Sequence, residues 1–215
     1  MNVKETFYYP IFSCLFSKTR RGIPILKRIR LLKLKQFILF FILVLSSSYV
    51  NAPNLLFSAN TGTITFTSDA PLELIKASSN QLKGWLNPDT KQFSFAINIK
   101  TFKGFKIYTQ QKNFNENYLE SDKYPQAVFE GKIIEDIDLR RDGFYNIRAK
   151  GNLSIHGVVQ ERIIKCNLTI KNGVVSIKSN FIVLLADHNI AIPKVVNQKL
   201  ASDIKVEVKT DLIEK

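Results

Sequence analysis

Residues 113–131 read NFNENYLESDKYPQAVFEG, the one stretch where a helical pattern interrupts a series of strand-like segments. Phe114 and Tyr118 are four residues apart, so a short helix would place both rings on one face. Tyr124 precedes a proline, and the residue before proline avoids the helical region, which predicts the end of the helix. Residues 127–134 return to a strand pattern. A lone helix among long strands is predicted either to cover an open end or edge of the sheet or to form a surface connection.

Apolar and polar residues alternate with a period of two on both sides of this stretch, a pattern typical of strands with one buried face. The alternating segments are residues 63–67, 72–77, 81–87, 93–100, 127–134, 145–155, 160–171, 175–185 and 204–212. Hairpin turns are predicted at RDG (141–143) and at NG (172–173). Closely spaced strands joined by such turns indicate an antiparallel barrel or sandwich, and the length of the later strands favours a barrel.

The alternation alone does not say which face of the strands meets water. An eight-stranded outer-membrane barrel would show the same period, with its apolar side toward lipid. Here the polar phase is rich in Lys, Arg, Glu and Asp, and Trp85 is the only tryptophan, so aromatic girdles are missing. We therefore predict that the apolar face points into the barrel.

The N-terminal quarter of the chain differs from the rest in charge and hydropathy. Residues 1–52 hold nine Lys and Arg and one Glu, within a chain of formal net charge +13. The apolar run FILFFILVL (37–45) follows two lysines and precedes SSSYVNA. This order predicts a signal peptide cleaved near Ala52, with residues 53–215 as one secreted or periplasmic domain. The alternative is an uncleaved membrane anchor that starts nearer Leu31.

Cysteine usage and the charge of the predicted mature domain narrow its class further. Cys14 would leave with the signal peptide, so Cys166 would stand alone and no intramolecular disulfide could form. The 22 Lys and Arg that remain are nearly balanced by 17 Asp and Glu. A net charge this small does not predict a nucleic-acid partner.

Three segments together resemble a known family. They are FNENYLESDKYPQAVFEG (114–131), GNLSIHGV (151–158) and ADHNIAIPKVV (186–196). In this order and spacing they are similar to the YceI-like family, in the compact form found in Bacteroidetes. The resemblance implies an eight-stranded antiparallel, lipocalin-like β-barrel with one short helix at an open end. It also implies a secreted protein that binds a polyisoprenoid or related lipid.

Aromatic and aliphatic side chains on the inward phase, and those of the helical stretch, are the candidate lining of the barrel lumen. They are Phe66, Phe93, Phe95, Ile97, Phe102, Phe105, Phe114, Tyr118, Phe129, Ile155, Ile164 and Phe181. An eight-stranded barrel is near the size at which side chains either fill the interior or leave room for one small ligand. The residues alone favour a filled core, whereas the resemblance implies a ligand cavity.

The two histidines are the candidates for catalysis or metal binding. His156 lies at a strand end before Gly157, and we predict that it stabilises a turn through hydrogen bonds. His188 follows Asp187, and we predict a polar pair in a loop. Two histidines and Cys166 do not make a convincing zinc site, and no HExxH, GxSxG or P-loop motif is present. We predict no catalytic residue, no metal and no cofactor, with a periplasmic hydrolase as an alternative.

A basic and aromatic cluster precedes the helical stretch. Lys100, Lys103 and Lys106 alternate with Phe102 and Phe105. Such a cluster could meet an anionic head group or make a transient contact with a membrane surface, or it could be a solvated strand end with two core rings. A further alternative for the whole domain is a stress-linked interaction protein whose barrel is filled and holds no ligand.

Overall fold

The computed structural model describes residues 56–214. The predicted signal peptide, its cleavage site at Ala52 and Cys14 lie outside these residues, so the predictions about them stay predictions. Within the described range, no helix is both long and apolar enough to cross a membrane.

Ten strands and one α-helix make up the regular structure of the described residues. The strands are β1 (Phe57–Ala59), β2 (Gly62–Asp69), β3 (Leu74–Ser79), β4 (Lys83–Leu86), β5 (Gln92–Asn98), β6 (Gln126–Ile133), β7 (Gly143–Ile155), β8 (Val158–Lys171), β9 (Val174–Leu184) and β10 (Asp203–Glu214). Residues 99–125, called the cap segment below, join β5 to β6. They contain α1 (Tyr108–Asn113) and a π-helical turn (Phe114–Tyr118).

The strands close into an eight-stranded antiparallel barrel, as predicted. Hydrogen-bonded neighbours run β1-β4-β5-β6-β7-β8-β9-β10, and β10 pairs again with β1. β10 pairs with β1 near its C-terminal end and with β2 along the rest of its length. On the far side of these two strands, β4 pairs with β1 and β3 pairs with β2. β1 and β2 therefore act as one long strand with a short break, and so do β3 and β4. The inward phase is also as predicted: Ile147, Leu168 and Val175 are all buried.

The end of the barrel opposite the cap segment is closed by the loop between β6 and β7. Leu139 in this loop has no exposed surface and joins the main core, with Ile137 packed against it. The predicted hairpin connection at residues 141–143 does join two antiparallel strands, β6 and β7, but it is longer than predicted, because β6 ends at Ile133 and Gly143 already belongs to β7. The loop is longer than a hairpin because it carries apolar side chains back into the barrel. The predicted turn at residues 172–173 is confirmed, with φ of 52° and 75°.

Toward the cap segment, the wall between β3 and β5 is not a continuous ladder. β5 pairs with β4 only up to the Lys83–Ala96 pair, and β3 meets the cap segment instead through a single bridge between Ser78 and Lys103. Four phenylalanine rings fill this gap: Phe66, Phe102, Phe105 and Phe114. We call this gap the aromatic seam.

A second discontinuity lies on another side of the barrel, between β8 and β9. Their ladder ends at the Cys166–Ser179 pair. Both strands nevertheless continue toward the cap end, β8 pairing with β7 and β9 with β10. Residues 158–165 and 180–184 therefore face each other without a backbone ladder in the described structure. We call this gap the polar seam, because polar side chains bridge it.

Candidate functional site

Two cavities lie inside the barrel, one above the other along its axis. The inner cavity measures about 110 Å³, and its lining includes Phe93, Phe95 and Phe129. The cap cavity measures about 150 Å³, and Phe114 and Tyr118 of the cap segment form part of its wall. Both linings are almost entirely apolar, so each cavity suits a hydrocarbon group rather than an ion or a sugar.

The two cavities share part of their lining, which forms a partition between them. The shared residues are Ile64, Ile97, Ala127, Leu153 and Phe181. Each cavity alone is about the size of an engineered cavity that holds one benzene molecule. A longer apolar chain would have to pass this partition, where Phe181 is the largest side chain and Ala127 the smallest.

All but one of the predicted lumen residues line a cavity. Phe93, Phe95, Phe129 and Ile164 line the inner cavity; Phe66, Phe102, Phe114, Tyr118 and Ile155 line the cap cavity; Ile97 and Phe181 line both. Phe105 is the exception. Its ring packs against Phe66 at 6.0 Å and Phe114 at 5.2 Å between centroids, so it supports the lining from behind.

The helical stretch covers an open end of the barrel rather than forming a surface connection. Phe114, Tyr118 and the following Leu119 all line the cap cavity. The helix begins earlier than the pattern predicts, at Tyr108, and continues from Phe114 as a π-helical turn. The spacing of Phe114 and Tyr118 predicted the buried face of this stretch correctly, but it did not predict the helical turns that precede Phe114.

Several lining residues come from a part of the chain that the alternation did not cover. Ile190 and Leu200 lie in the connection between β9 and β10 and line the cap cavity. This connection has no period-two pattern, because two short 3-10 turns shape it. The apolar residues of IAI (190–192) are the signal that could have indicated a buried segment here.

The three segments that carry the family resemblance meet at one point beside the cap cavity. His156 Nδ1 donates to the backbone carbonyl of His188 at 3.1 Å, and its Nε2 lies 3.2 Å from Glu120 Oε2. The ring of Tyr124 packs edge-on against His156, with centroids 4.8 Å apart. His156 thus joins the cap segment to two hairpin ends, and the prediction that it stabilises a turn is confirmed.

Gly157 is required at this junction for two reasons. Its φ of 73° follows one of 51° at His156, the combination that a two-residue hairpin turn needs. A Cβ at this position would also lie 2.4 Å from Cε1 of Tyr124. A side chain here would push the cap segment away from the barrel.

The predicted polar pair between His188 and Asp187 is wrong. His188 is fully buried and its Nδ1 donates to the carbonyl of Val158 at 3.2 Å, while Asp187 lies on the other side of the chain, 3.3 Å from Arg162. Burial lowers the pKa of His188, so its ring is neutral at pH 7. The apolar residues that follow His188 pull the turn inward, and a buried ring loses its access to an exposed carboxylate.

The His, Cys, Asp and Glu side chains of residues 56–214 are the groups that could hold a metal ion or act in catalysis. In this range, no group of three His, Cys, Asp or Glu side chains converges to hold a metal ion. Cys166 lines the inner cavity, and burial raises the pKa of its thiol, which keeps it protonated and weakly nucleophilic. The ring nitrogens of His156 face the backbone carbonyl and the carboxylate described above, and Nδ1 of His188 faces the Val158 carbonyl. The buried Nε2 of His188 has no hydrogen-bond partner among the described residues.

The basic cluster lies at the rim of the cap end. Lys100 pairs with Asp122 at 2.5 Å, whereas Lys103 and Lys106 form no ion pair with any residue of the 56–214 range. Beside them, Ile107 is 59% and Tyr108 77% exposed. This rim combines unpaired positive charge with exposed apolar surface.

The sequence can now be placed among known proteins. A family model described as the YceI-like domain matches residues 54–212. The chain belongs to the YceI-like family. The resemblance carried by the three segments is therefore confirmed. A search of curated proteins finds no significant match.

Solved structures with the same fold include other YceI-like proteins. A polyisoprenoid binding domain from Saccharophagus degradans implicated in plant cell wall breakdown is 13% identical, with a TM-score of 0.61 over 75% of this chain and 99% of that one. BcnA of Burkholderia cenocepacia is 14% identical, with a TM-score of 0.57 over 70% and 95%. The YceI protein of Campylobacter jejuni is 15% identical, with a TM-score of 0.52 over 66% and 85%. At these identities the similarity extends to the fold alone.

Proposed function

We propose that this YceI-like protein is a periplasmic or otherwise secreted binding protein that holds the apolar chain of a lipid or isoprenoid-like amphiphile in its barrel. The observation that supports this most directly is the pair of apolar cavities stacked along the barrel axis. Burial of apolar surface contributes about 25 cal/mol per Å², so a chain lying along both cavities would bind without any charged partner in the lumen.

Cavity size sets a condition on this proposal. Sites for drug-sized ligands measure about 300–1,000 Å³, whereas the cavities here measure about 110 and 150 Å³. A long chain therefore needs the two cavities to become one. Rotation of the Phe181 ring away from the partition would join them, because Ala127 opposite occupies little space.

Native mass spectrometry on protein purified from its own cells tests the proposal. We expect a non-covalently bound lipid that organic solvent extracts. In the Ala127→Phe variant, a ring would occupy the passage between the cavities, and most of the bound lipid should be lost.

The matched control is Ala96→Phe on the neighbouring strand. Phe95 and Ile97 line the lumen, so Ala96 between them faces outward and a ring there leaves the cavities unchanged. Overpacking costs about 1–3 kcal/mol, so both variants must retain a cooperative thermal transition. If wild-type protein carries no lipid, or if folded Ala127→Phe carries as much as Ala96→Phe, the proposal is wrong.

The small cavity volumes favour one alternative, a stress-linked interaction protein with a filled barrel and no ligand. In that case wild-type protein would reach the spectrometer at its bare mass. It would also fail to enhance the fluorescence of cis-parinaric acid, a polyene fatty acid that emits strongly in apolar surroundings.

The rim of the cap end adds a transient membrane contact to the proposal. Lys103 and Lys106 are unpaired among the described residues, and Ile107 and Tyr108 next to them are exposed. Each Lys near an anionic membrane surface contributes about 1 kcal/mol. Cosedimentation with vesicles containing phosphatidylglycerol, which salt should weaken, tests this contact. The double charge reversal Lys103→Glu, Lys106→Glu should abolish it.

A further inference from the structure

In the polar seam, side chains satisfy backbone carbonyls at and beyond the end of the β8–β9 ladder. At the point where the ladder ends, Ser179 Oγ donates to the carbonyl of Lys165 at 2.8 Å. Further along, Arg162 Nη2 donates to the carbonyl of Ile182 at 2.8 Å, and Gln160 Nε2 donates to the carbonyl of Asp187 at 2.7 Å. Side chains thus satisfy carbonyls of β8, of β9 and of the turn after β9 at and beyond the end of the ladder.

The sequence of β8 shows why the ladder stops. Its inward phase is apolar from Ile170 back to Ile164, and the next two inward positions are Arg162 and Gln160. A guanidinium or an amide in the apolar lumen would be unsatisfied there. Both side chains instead turn sideways to the carbonyls of β9 and its following turn. They take up the space in which the two strands would otherwise pair.

The outer edges of the polar seam are apolar and exposed. Val159 and Ile163 on β8 are 58% and 57% exposed, and Ile182 and Leu184 on β9 are 47% and 39% exposed. On the inner side, Phe181 lies on β9 and lines both cavities. The seam therefore separates an apolar outer strip from the partition of the lumen by only one layer of side chains.

We infer that the polar seam is a lateral portal through which the apolar chain of the ligand enters and leaves the lumen. Opening requires the loss of these side-chain hydrogen bonds and of the ion pair between Arg162 and Asp187, and no break in a backbone ladder. The exposed strip guides a hydrocarbon chain to the gap, and displacement of Phe181 both opens the inner side and joins the two cavities. The inference rests on the proposed binding function and specifies its route.

The test closes the seam covalently and measures the rate of ligand exchange. If the ladder continued, Ile163 would lie opposite Ile182. The I163C/I182C variant, made with Cys14→Ser, is closed with a bismaleimide whose spacer matches the gap. Cys166 does not compete, because it is buried and burial raises its pKa. The control is N167C/K178C, a directly paired and exposed position on the same two strands.

Stopped-flow fluorescence with cis-parinaric acid gives the readout. We expect uptake and release to slow by about tenfold or more in closed I163C/I182C, and to be unchanged in closed N167C/K178C. Equal rates in the two proteins, with binding retained, would overturn the portal and leave the proposed function standing. Absence of binding in wild-type protein would overturn both.

A second variant keeps the inference testable if the cross-linked protein does not fold. Arg162→Ala removes the bridge to Ile182, and we expect exchange to accelerate by about tenfold. The control is Arg148→Ala, which removes an ion pair of 2.8 Å to Glu135 elsewhere on the wall. Identical exchange rates in these two variants would also overturn the portal.

Discussion

The aromatic seam and the polar seam meet the same geometric demand in opposite ways. Toward the cap end, the β4–β5 ladder ends at the Lys83–Ala96 pair and the β8–β9 ladder at the Cys166–Ser179 pair, so one gap opens on each of two sides. Four phenylalanine rings fill the first gap, with centroids 5.1–6.0 Å apart. Polar side chains of β8 and β9 bridge the second.

The contrast between the two seams indicates where the barrel is held firmly and where it can open. A buried aromatic side chain contributes about 3–5 kcal/mol, whereas a neutral hydrogen bond contributes about 1 kcal/mol net. Water can replace a broken hydrogen bond at the surface but cannot replace apolar packing. We therefore expect the aromatic seam to stay closed while the polar seam opens.

The largest effect is expected at the aromatic seam. Phe102 is 5% exposed and packs against Phe66 and Phe114. Phe102→Ala should lower the free energy of unfolding by about 3–5 kcal/mol, measured by urea denaturation. Phe144→Ala is the control, since Phe144 is 62% exposed, and it should change stability by less than about 0.5 kcal/mol. Similar losses in the two variants would mean that the aromatic seam does not hold the barrel.

A smaller and more local effect is expected at the end of the β8–β9 ladder. Ser179→Ala removes the donor to the Lys165 carbonyl, and stability should fall by about 1 kcal/mol. Hydrogen exchange of amides in residues 180–184 should accelerate, while exchange in residues 174–178 stays unchanged. Ser176→Ala, which removes an exposed hydrogen bond to Asp211 in the paired part, is the control. Uniform acceleration along β9 would contradict a separate polar seam.

The smallest expected effect is a change of stability with pH that arises at the cap end of the polar seam, where His188 Nδ1 donates to the carbonyl of Val158. Burial lowers the pKa of His188 below its ordinary 6.5, so the unfolded chain binds a proton there before the folded protein does. The contribution to stability is complete above pH 6.5 and is lost as the pH falls from there toward the folded-state pKa. Urea denaturation at pH 7 and pH 5.5 should show this loss.

A His188→Gln variant is the comparison for the pH measurement. It should be less stable than wild type at pH 7 and should depend less on pH. The pKa of Glu135 is lowered by hydrogen bonds from Arg148, so its contribution is lost only at more acidic pH, outside this window. Equal pH dependence of the free energy of unfolding in His188→Gln and wild type would show that the buried His188 ring does not contribute to it.

The period of two along the strands predicted the barrel only together with the length of the later strands, and the charged residues of the polar phase predicted which face points inward. Each strand from β5 to β10 carries apolar residues on one phase, and a one-residue slip would expose all of them, so the pattern alone specifies the register. Eight of the twelve candidate lumen residues came from this alternation and two, Phe114 and Tyr118, from the helical spacing, and all ten line a cavity. Phe102 and Phe105 lie beyond the end of β5, where the alternation no longer indicates the barrel face, and only Phe102 lines a cavity.

The space between the side chains and the places where the barrel wall is incomplete could not be predicted from the sequence, because both depend on tertiary packing. Periodicity says that Ile97 and Phe181 face inward, but only their packing with residues far along the chain leaves two small cavities and a partition. The burial of His188 and the partners of Arg162 likewise depend on a turn after β9 that has no periodic signal. Local pattern determines which way a side chain points, whereas cavities and seams depend on contacts between segments that are distant in sequence.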